Sequence, residues 1–198
     1  MKKNTYKKKY GFSLIETLIA VSILMIAIAG PLSLVQAGLF SSVHQRNQVT
    51  AIYLAQEAFE YIKNVRDTNA YTQYGASPKG WLIGPDGSTS LLDTCGTPSG
   101  NPTGCYVDPH GTLSGNLFVQ SASTAIPAND LYLNQNTAGG ILYGYGSGGT
   151  VSPYKRTVKI TPIVATDEVI VSVIIEWKDG TVSRKYTVSE NIYNYHYE

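Results

Sequence analysis

The side chain with the most unusual surroundings in this 198-residue sequence is the carboxylate of Glu16. It is the only ionisable group between Phe12 and Phe40, a stretch of otherwise uncharged and mostly apolar residues. A carboxylate in such a segment costs a few kcal/mol near the centre of a membrane unless it has a partner or a purpose. A plain membrane anchor would leave Glu16 unexplained, so we treat it as a candidate functional residue.

The segment that carries Glu16 is long enough to cross a membrane. Thr17 to Phe40 is 24 residues, which corresponds to about 36 Å of helix against a hydrocarbon core of about 30 Å. The cationic block before it predicts a cytoplasmic N-terminus and a single crossing; it consists of Lys2, Lys3, Lys7, Lys8 and Lys9. A buried helix of a soluble domain would usually keep a polar face over this length. A secretory signal peptide has a shorter apolar region, followed by its small-residue cleavage site, whereas Gly11 precedes the apolar region here.

The two cysteines form the second group with recognisable chemistry. Cys95 and Cys105 are separated almost entirely by turn-forming residues, so their sulfur atoms can meet. Beyond the membrane a disulfide is the favoured state, and closing a loop of about eleven residues contributes about 3 kcal/mol in the chain-entropy model. Zinc is the alternative, but two cysteines and the nearby His110 fall short of four ligands. We therefore predict no metal site, although a calcium ion on the loop aspartates stays open; these are Asp86, Asp93, Asp108 and Asp130.

Nothing in the sequence has the arrangement of a catalytic site. The three histidines are scattered, no serine or cysteine lies in a nucleophile motif, and no phosphate-binding glycine loop follows a strand. Without residues 1–11 the chain has ten Lys+Arg against fourteen Asp+Glu, so there is no basic surplus for nucleic acid. We therefore predict a non-enzymatic protein with no catalytic residue, no cofactor and no nucleic-acid partner.

The order of basic leader, Gly11, Phe12, three residues, Glu16 and apolar run resembles the N-terminus of type IV pilins and pseudopilins. The resemblance implies that a prepilin peptidase/N-methyltransferase cuts between Gly11 and Phe12 and methylates the new amine of Phe12. It also implies an assembly role for Glu16, whose carboxylate would lie one helical turn from that amine. Whether this pair forms within one chain or between neighbouring subunits stays open.

The helix is predicted to continue past the membrane segment. Residues 41–69 contain no proline or glycine and carry an apolar stripe at helical spacing, formed by Ile52, Ala55, Phe59, Ile62 and Val65. We expect the charged residues of this segment to form a solvated face with salt bridges three or four residues apart; they are Glu57, Glu60, Lys63, Arg66 and Asp67. Gly30 and Pro31 predict a kink or a loosened turn in the membrane half.

The remainder, residues 70–198, is predicted to be a globular head. Residues 70–150 hold most of the glycine and proline, and the strand register there is not readable. Residues 154–192 predict three antiparallel strands, with Asp179–Gly180 as a type I′ turn between the last two. On the middle strand, alternate residues from Val169 to Trp177 share one apolar face, and the amphipathic half of the helix is the long element available to cover it.

These patterns predict an α+β fold in which a long N-terminal α-helix packs against an antiparallel β-sheet head, and the resemblance identifies this as the pilin architecture. The expected organisation is a prepilin leader (1–11), a transmembrane or filament-core half of the helix (12–40), an amphipathic half (41–69) and the head. Residues 55–69 also resemble the minor pilins of the pilus modification type.

The resemblance implies a minor type IV pilin-like structural subunit that assembles into a pilus or tip complex through its helix. Its partners would be the processing enzyme, other pilins or pseudopilins, an inner-membrane assembly platform and, before assembly, membrane lipid. It would move from the cytoplasmic membrane to the cell surface. The alternatives are a minor pseudopilin of a type II secretion or DNA-uptake system, and a non-polymerising membrane-anchored surface binding domain.

Overall fold

The computed structural model describes residues 11–72, 80–96, 104–110, 119–121, 130–135, 139–146, 148–164 and 167–194. Contacts divide the chain into two compact units, a first unit of residues 1–46 and a second unit of residues 47–198. The helix α1 (Leu14–Thr72) contributes residues to both units and ends three residues beyond the predicted Asn69. The predicted α+β fold, a long N-terminal helix with an antiparallel sheet, is confirmed.

The described part of the second unit contains one antiparallel sheet of seven strands and a short helix, α2 (Leu91–Cys95). The strands are β1 (Cys105–Val107), β2 (Val119–Ser121), β3 (Asp130–Gln135), β4 (Ile141–Gly144), β5 (Thr150–Val164), β6 (Glu168–Asp179) and β7 (Val182–Tyr193). The long strand β5 pairs with β6 along one edge, and β1 and β3 share its other edge. The three predicted strands are confirmed as β5, β6 and β7, whereas β1 to β4 come from the region whose register was not readable.

The apolar face of the sheet is also confirmed. In the register of β5 with β6, Val158 lies opposite Val173 and Ile160 opposite Val171, and all four side chains are fully buried. Alternate residues of β6 from Val169 to Trp177 are buried as well. Because side chains on a strand alternate between faces, this register turns all of these residues toward one core.

The outer part of α1 supplies the other side of that core. Its buried residues in the second unit are Ala51, Leu54, Ala55, Ala58, Phe59, Ile62 and Val65, and they belong to one cluster with the buried residues of β5 and β6. The predicted stripe is therefore confirmed except at Ile52, which is only partly buried. Ala51 and Ala58 are completely covered. Because their side chains are small, the helix backbone can come close to its neighbours at these two positions.

A buried guanidinium joins α1 to the sheet. Arg156 of β5 is completely buried, and its Nη1 donates to the carbonyl oxygen of Leu54 at 3.1 Å and to Glu57 Oε2 at 2.5 Å. Its Nη2 donates to the carbonyl oxygen of Val107 at 2.8 Å. The other Glu57 oxygen lies 2.8 Å from His110 Nε2. One carboxylate on α1 is thus shared between β5 and the residues that follow β1.

The charge of Arg156 is maintained by its neighbours. Burial alone would lower the pKa of this guanidinium, but Tyr145 and Glu57 outweigh that effect and the pKa is raised. For the neighbouring Tyr145 hydroxyl, burial has the opposite effect and raises the pKa. This hydroxyl accepts a hydrogen bond from Arg156 Nε at 3.4 Å. Arg156 therefore stays cationic inside the core and depends on Glu57 for its counter-charge.

The predicted pattern of salt bridges along α1 is wrong at Glu57 and Lys63. Glu57 pairs with Arg156 and His110, and Lys63 Nζ lies 2.9 Å from Glu190 Oε1 on β7. Arg66 pairs with its immediate neighbour Asp67 at 2.7 Å. Spacing along a helix identifies only partners on the same helix, whereas here the sheet supplies the closer opposite charges.

The turn between β6 and β7 differs by one residue from the prediction. Asp179 is the last residue of β6 and pairs with Val182, so the two loop residues are Gly180 and Thr181. Gly180 has a φ of 62°, a conformation that glycine adopts without a steric penalty.

The predicted disulfide is confirmed: Cys95 and Cys105 are bonded, with Cα atoms 4.6 Å apart. Cys95 ends α2, whose N-cap Ser90 accepts a hydrogen bond from the Asp93 N–H at 3.2 Å. Cys105 begins β1 and lies opposite Val158 of β5. The disulfide therefore connects α2 to β1, the strand that pairs with β5.

Gly104 brings β1 this close to β5. Its φ is +86°, and a Cβ at this position would lie 2.5 Å from the carbonyl oxygen of Val158 and 2.8 Å from the Thr157 side chain. Any other residue would therefore displace β1, and Cys105 with it, from the sheet.

We predict that Glu57→Ala lowers the free energy of unfolding by about 3 kcal/mol, because it leaves a buried guanidinium without its carboxylate. The matched control is Glu60→Ala, which removes an exposed carboxylate one turn along the same helix and should change stability by less than about 0.5 kcal/mol. Urea denaturation of the full chain in neutral detergent, followed by near-ultraviolet circular dichroism, measures both. Equal effects of the two variants would show that Arg156 does not depend on Glu57.

The double variant Cys95→Ala/Cys105→Ala should lose about 3 kcal/mol of stability, since the crosslink restricts the unfolded chain. The same denaturation experiment checks this value. A reducing agent should shift the unaltered chain by the same amount and leave the double variant unchanged. A reductant effect on the double variant would contradict the assignment.

Candidate functional site

The predicted cleavage residues lie in exposed, non-helical backbone at the start of the described chain. Gly11, Phe12 and Ser13 belong to no helix or strand, and α1 begins at Leu14. The Phe12 side chain is 82% exposed. Non-helical, exposed backbone is the form in which proteases bind a chain, because a helix must unwind before its peptide bonds can be reached. The lysines of the leader lie outside the described residues.

Glu16 occupies the first turn of α1. The carbonyl oxygen of Ser13 accepts hydrogen bonds from the Glu16 N–H at 3.0 Å and the Thr17 N–H at 3.2 Å, which closes this turn. A negative charge here is favourable because the first N–H groups of a helix form the positive end of its dipole. No hydrogen bond or ion pair of the Glu16 carboxylate is found within the described residues. The carboxylate is thus available to a positive charge placed at the helix N-terminus.

The helix surface beside Glu16 is apolar, and the described residues of the first unit do not cover it. Every residue from 11 to 43 is exposed, including Leu14, Ile15 and Leu18 in the first turns. One segment of α1 is long and apolar enough to cross a membrane, a test that signal sequences and core helices also pass. An exposed apolar surface of this size is covered in a working protein by lipid or by other protein. The apolar helix is consistent with a membrane-anchored protein.

Gly30 and Pro31 do not interrupt α1. Proline cannot donate the backbone hydrogen bond of its turn, yet the helix continues from Leu14 to Thr72. Ser33 Oγ donates to the carbonyl oxygen of Gly30 at 2.8 Å, as serine hydroxyls do in apolar helices. The predicted kink or loosened turn at this position stays a prediction.

The structure brings Cys95 and Cys105 together, and it places Phe12 just before α1 and Glu16 in its first turn. Within the described ranges, no group of three or more histidine, cysteine, aspartate or glutamate side chains has an arrangement that could hold a metal ion. The residue that the sequence analysis missed is in the sheet: Arg156, which binds Glu57. The one available signal for Arg156 was its position, since it is a charged residue at even spacing from Val158 and Ile160 on the same strand.

Comparison with known proteins gives one match, to the model of a short N-terminal motif. No curated protein and no solved structure matches the chain significantly. Residues 6–30 match the family model of the prokaryotic N-terminal methylation motif, so the chain carries the signature of the type IV pilins and pseudopilins.

Proposed function

We propose that this chain is a minor type IV pilin-like structural subunit and not an enzyme. A prepilin peptidase removes residues 1–11, the new terminus at Phe12 is N-methylated, and the exposed helix enters a pilus or tip complex. The observation that carries this proposal is the methylation motif at residues 6–30. Within the motif, Gly11 and Phe12 lie on exposed, non-helical backbone, and the residues from Leu14 onward begin a helix whose first turn holds Glu16.

The surface of the first unit supports assembly through the helix. Its apolar side chains from Phe12 to Val43 are exposed, and in the membrane they contact lipid. Transfer into a bundle of like helices exchanges these lipid contacts for van der Waals contacts between helices. The hydrophobic effect alone therefore gives little preference for the bundle over the membrane. A charge pair between neighbouring subunits does give a preference, because it forms only in the bundle and each partner makes burial of the other less costly. Glu16 and the amine of Phe12 supply such a pair.

Cleavage after Gly11 also changes the charge on the nitrogen of Phe12. Before cleavage Phe12 carries an amide nitrogen, which is neutral, and the cations of the leader are the lysines. After cleavage the amine of Phe12 is cationic, and it belongs to a residue four positions before Glu16 at the positive end of the helix. Assembly that depends on this pair is therefore restricted to processed subunits.

We predict that the mature protein begins with N-methylated Phe12 and that Gly11→Val keeps the whole leader. A side chain at Gly11 meets no atom of the chain within 4 Å, so the variant should fold as the unaltered chain does. Mass spectrometry of the intact protein and of its N-terminal peptide measures both. A circular dichroism spectrum that matches the unaltered chain is the control. Mature protein that begins at Met1, or well beyond Phe40, would overturn the proposal and leave the anchored surface domain.

We further predict that Glu16→Leu is inserted and processed but enters filaments at least about tenfold less, since it removes the partner of the Phe12 amine. Glu16→Asp, which keeps the charge, should recover a large part of assembly. Sheared surface fractions compared with membrane fractions by immunoblotting give the ratio. Normal incorporation of Glu16→Leu would rule out the pairing role. Subunits that assemble but stay in the cell envelope would instead favour the pseudopilin alternative.

A further inference from the structure

One edge of the sheet in the second unit is long, regular and open. Among the described strands β7 pairs with β6 alone, and this pairing runs from Val182 to Tyr193, 12 residues, without a shift of register. The strand contains no proline. Natural proteins usually interrupt an open edge with proline, a bulge or a short strand, because an uninterrupted edge pairs readily with other strands. β7 has none of these three interruptions.

The two-residue turn between β6 and β7 indicates which backbone groups of β7 face the open side. The residue after such a turn donates its N–H back across the hairpin, so the backbone groups of Val182 face β6. Along an antiparallel strand these groups alternate between the two sides. Alternate residues of β7 therefore point their N–H and C=O groups away from β6, and all five are exposed; they are Ser183, Lys185, Thr187, Ser189 and Asn191. No backbone hydrogen bond on this side occurs among the described residues.

The side chains of β7 that face α1 carry apolar surface to the same edge. Tyr186 and Val188 are only partly buried, and they line a space of about 510 Å³ between β7 and α1. Ile52 and Phe59 of α1 line it from the other side. Ile52, the member of the predicted stripe that is only partly buried, thus faces this space. A strand added to β7 would place its own alternate side chains over it.

The sequence of β7 is complementary to itself in one antiparallel register. When Thr187 lies opposite Thr187 of a second copy, Arg184 lies opposite Glu190 of that copy, and the reverse pair forms as well. In this register Lys185 lies opposite Ser189, so no two like charges face each other directly. Every other antiparallel register moves Arg184 away from Glu190.

The two charges that meet in this register are only partly satisfied within one copy. Arg184 Nε lies 3.9 Å from Asp179 Oδ2, and the Arg184 side chain is 48% exposed. Glu190 binds Lys63 Nζ through Oε1 at 2.9 Å, and its side chain is 46% exposed. The second oxygen of Glu190 is therefore available to a cation that approaches from the open edge.

We propose that β7 pairs with β7 of a second copy of this chain, antiparallel and centred on Thr187, so that two sheets become one. Each of the five residues whose backbone groups face outward would exchange two hydrogen bonds with the residue opposite, about ten bonds in all. The backbone supplies most of the attraction, and the two pairs of Arg184 with Glu190 fix the register.

The direction of α1 determines which copies can pair in this way. Asn47 binds Asp179 beside the start of β7, and Lys63 binds Glu190 near its end, so the outer part of α1 runs in the same direction as β7. The two-fold axis that reverses β7 therefore reverses this part of α1 too. Copies within one filament point the same way, so the pair joins copies from two filaments or two facing membranes, a consequence that rests on the proposed function.

Cysteine crosslinking of the full chain in neutral detergent tests the pairing and its register. The Cα atoms of two copies of Thr187 would lie about 5.5 Å apart, within disulfide range, so Thr187→Cys should form dimers under mild oxidation. Cys95 and Cys105 do not compete, since they are buried and already bonded.

The matched control is Ser183→Cys, which is equally exposed and has the same side-chain direction on β7. Its two copies would lie about 27 Å apart in the proposed register, so it should not crosslink with itself. It should crosslink when mixed with Asn191→Cys, the residue predicted to lie opposite. Absence of a Thr187→Cys dimer on a non-reducing gel, or equal dimers from Ser183→Cys alone, would refute the pairing.

Charge reversal tests the role of Arg184 and Glu190. In the Thr187→Cys background, Arg184→Glu and Glu190→Arg should each reduce the crosslinked fraction at least about tenfold, because like charges then meet twice. An equal mixture of the two variants should crosslink again, since each supplies the charge that the other lacks. Circular dichroism checks that both variants fold. Unchanged crosslinking of the single variants, or a mixture that does not recover, would contradict the register.

The leader-retaining variant Gly11→Val separates this proposal from the assembly function. The paired residues all belong to the second unit, so Gly11→Val in the Thr187→Cys background should crosslink as fully as the processed chain. Failure of processing would thus leave the pairing of β7 intact, and failure of the pairing would leave processing intact.

Discussion

The rest of this molecule depends on one constraint: the described residues of the first unit leave the apolar surface of α1 uncovered. From residue 11 to residue 43 every position is exposed, and water is a poor surrounding for such a surface. Lipid and a bundle of other helices are the two environments that suit it, and they are nearly equal in apolar contact. A small electrostatic difference can therefore decide between them. Glu16 is the only ionisable side chain from Phe12 to Phe40, and the proposed function assigns this role to it.

In the outer part of the same helix, the apolar residues face a core of the second unit. From Ala51 to Val65 one stripe of its apolar residues is buried in the core that contains β5 and β6. Ala51 and Ala58 permit close approach, and the larger Leu54, Phe59 and Ile62 belong to the same core cluster. The buried guanidinium of Arg156 is held in this core by Glu57 and by two carbonyl oxygens. The contact joins one residue of α1 to β5, because Glu57 reaches the buried guanidinium while the carboxylate of Glu60, one turn along, is exposed.

The remaining part of the second unit is built outward from β5. That strand pairs with β6 over most of its length, while β1 and β3 divide its other edge. The disulfide bonds α2 to β1. Gly104 permits this arrangement, because the absence of a Cβ lets β1 approach β5.

The sequence alone determined the elements whose pattern is long and regular. These are the apolar segment with Glu16, the stripe from Ala55 to Val65, the alternation in β6 and the disulfide, because periodicity and residue type are local properties. Only the tertiary structure decided the partners. Glu57 binds Arg156, which lies 99 residues further along the chain, and no helical spacing indicates such a pair. The strands β1 to β4 and the one-residue shift of the turn at Gly180 were likewise decided by register. Register depends on which strands pair in the folded protein, so a single amino-acid sequence does not show it directly.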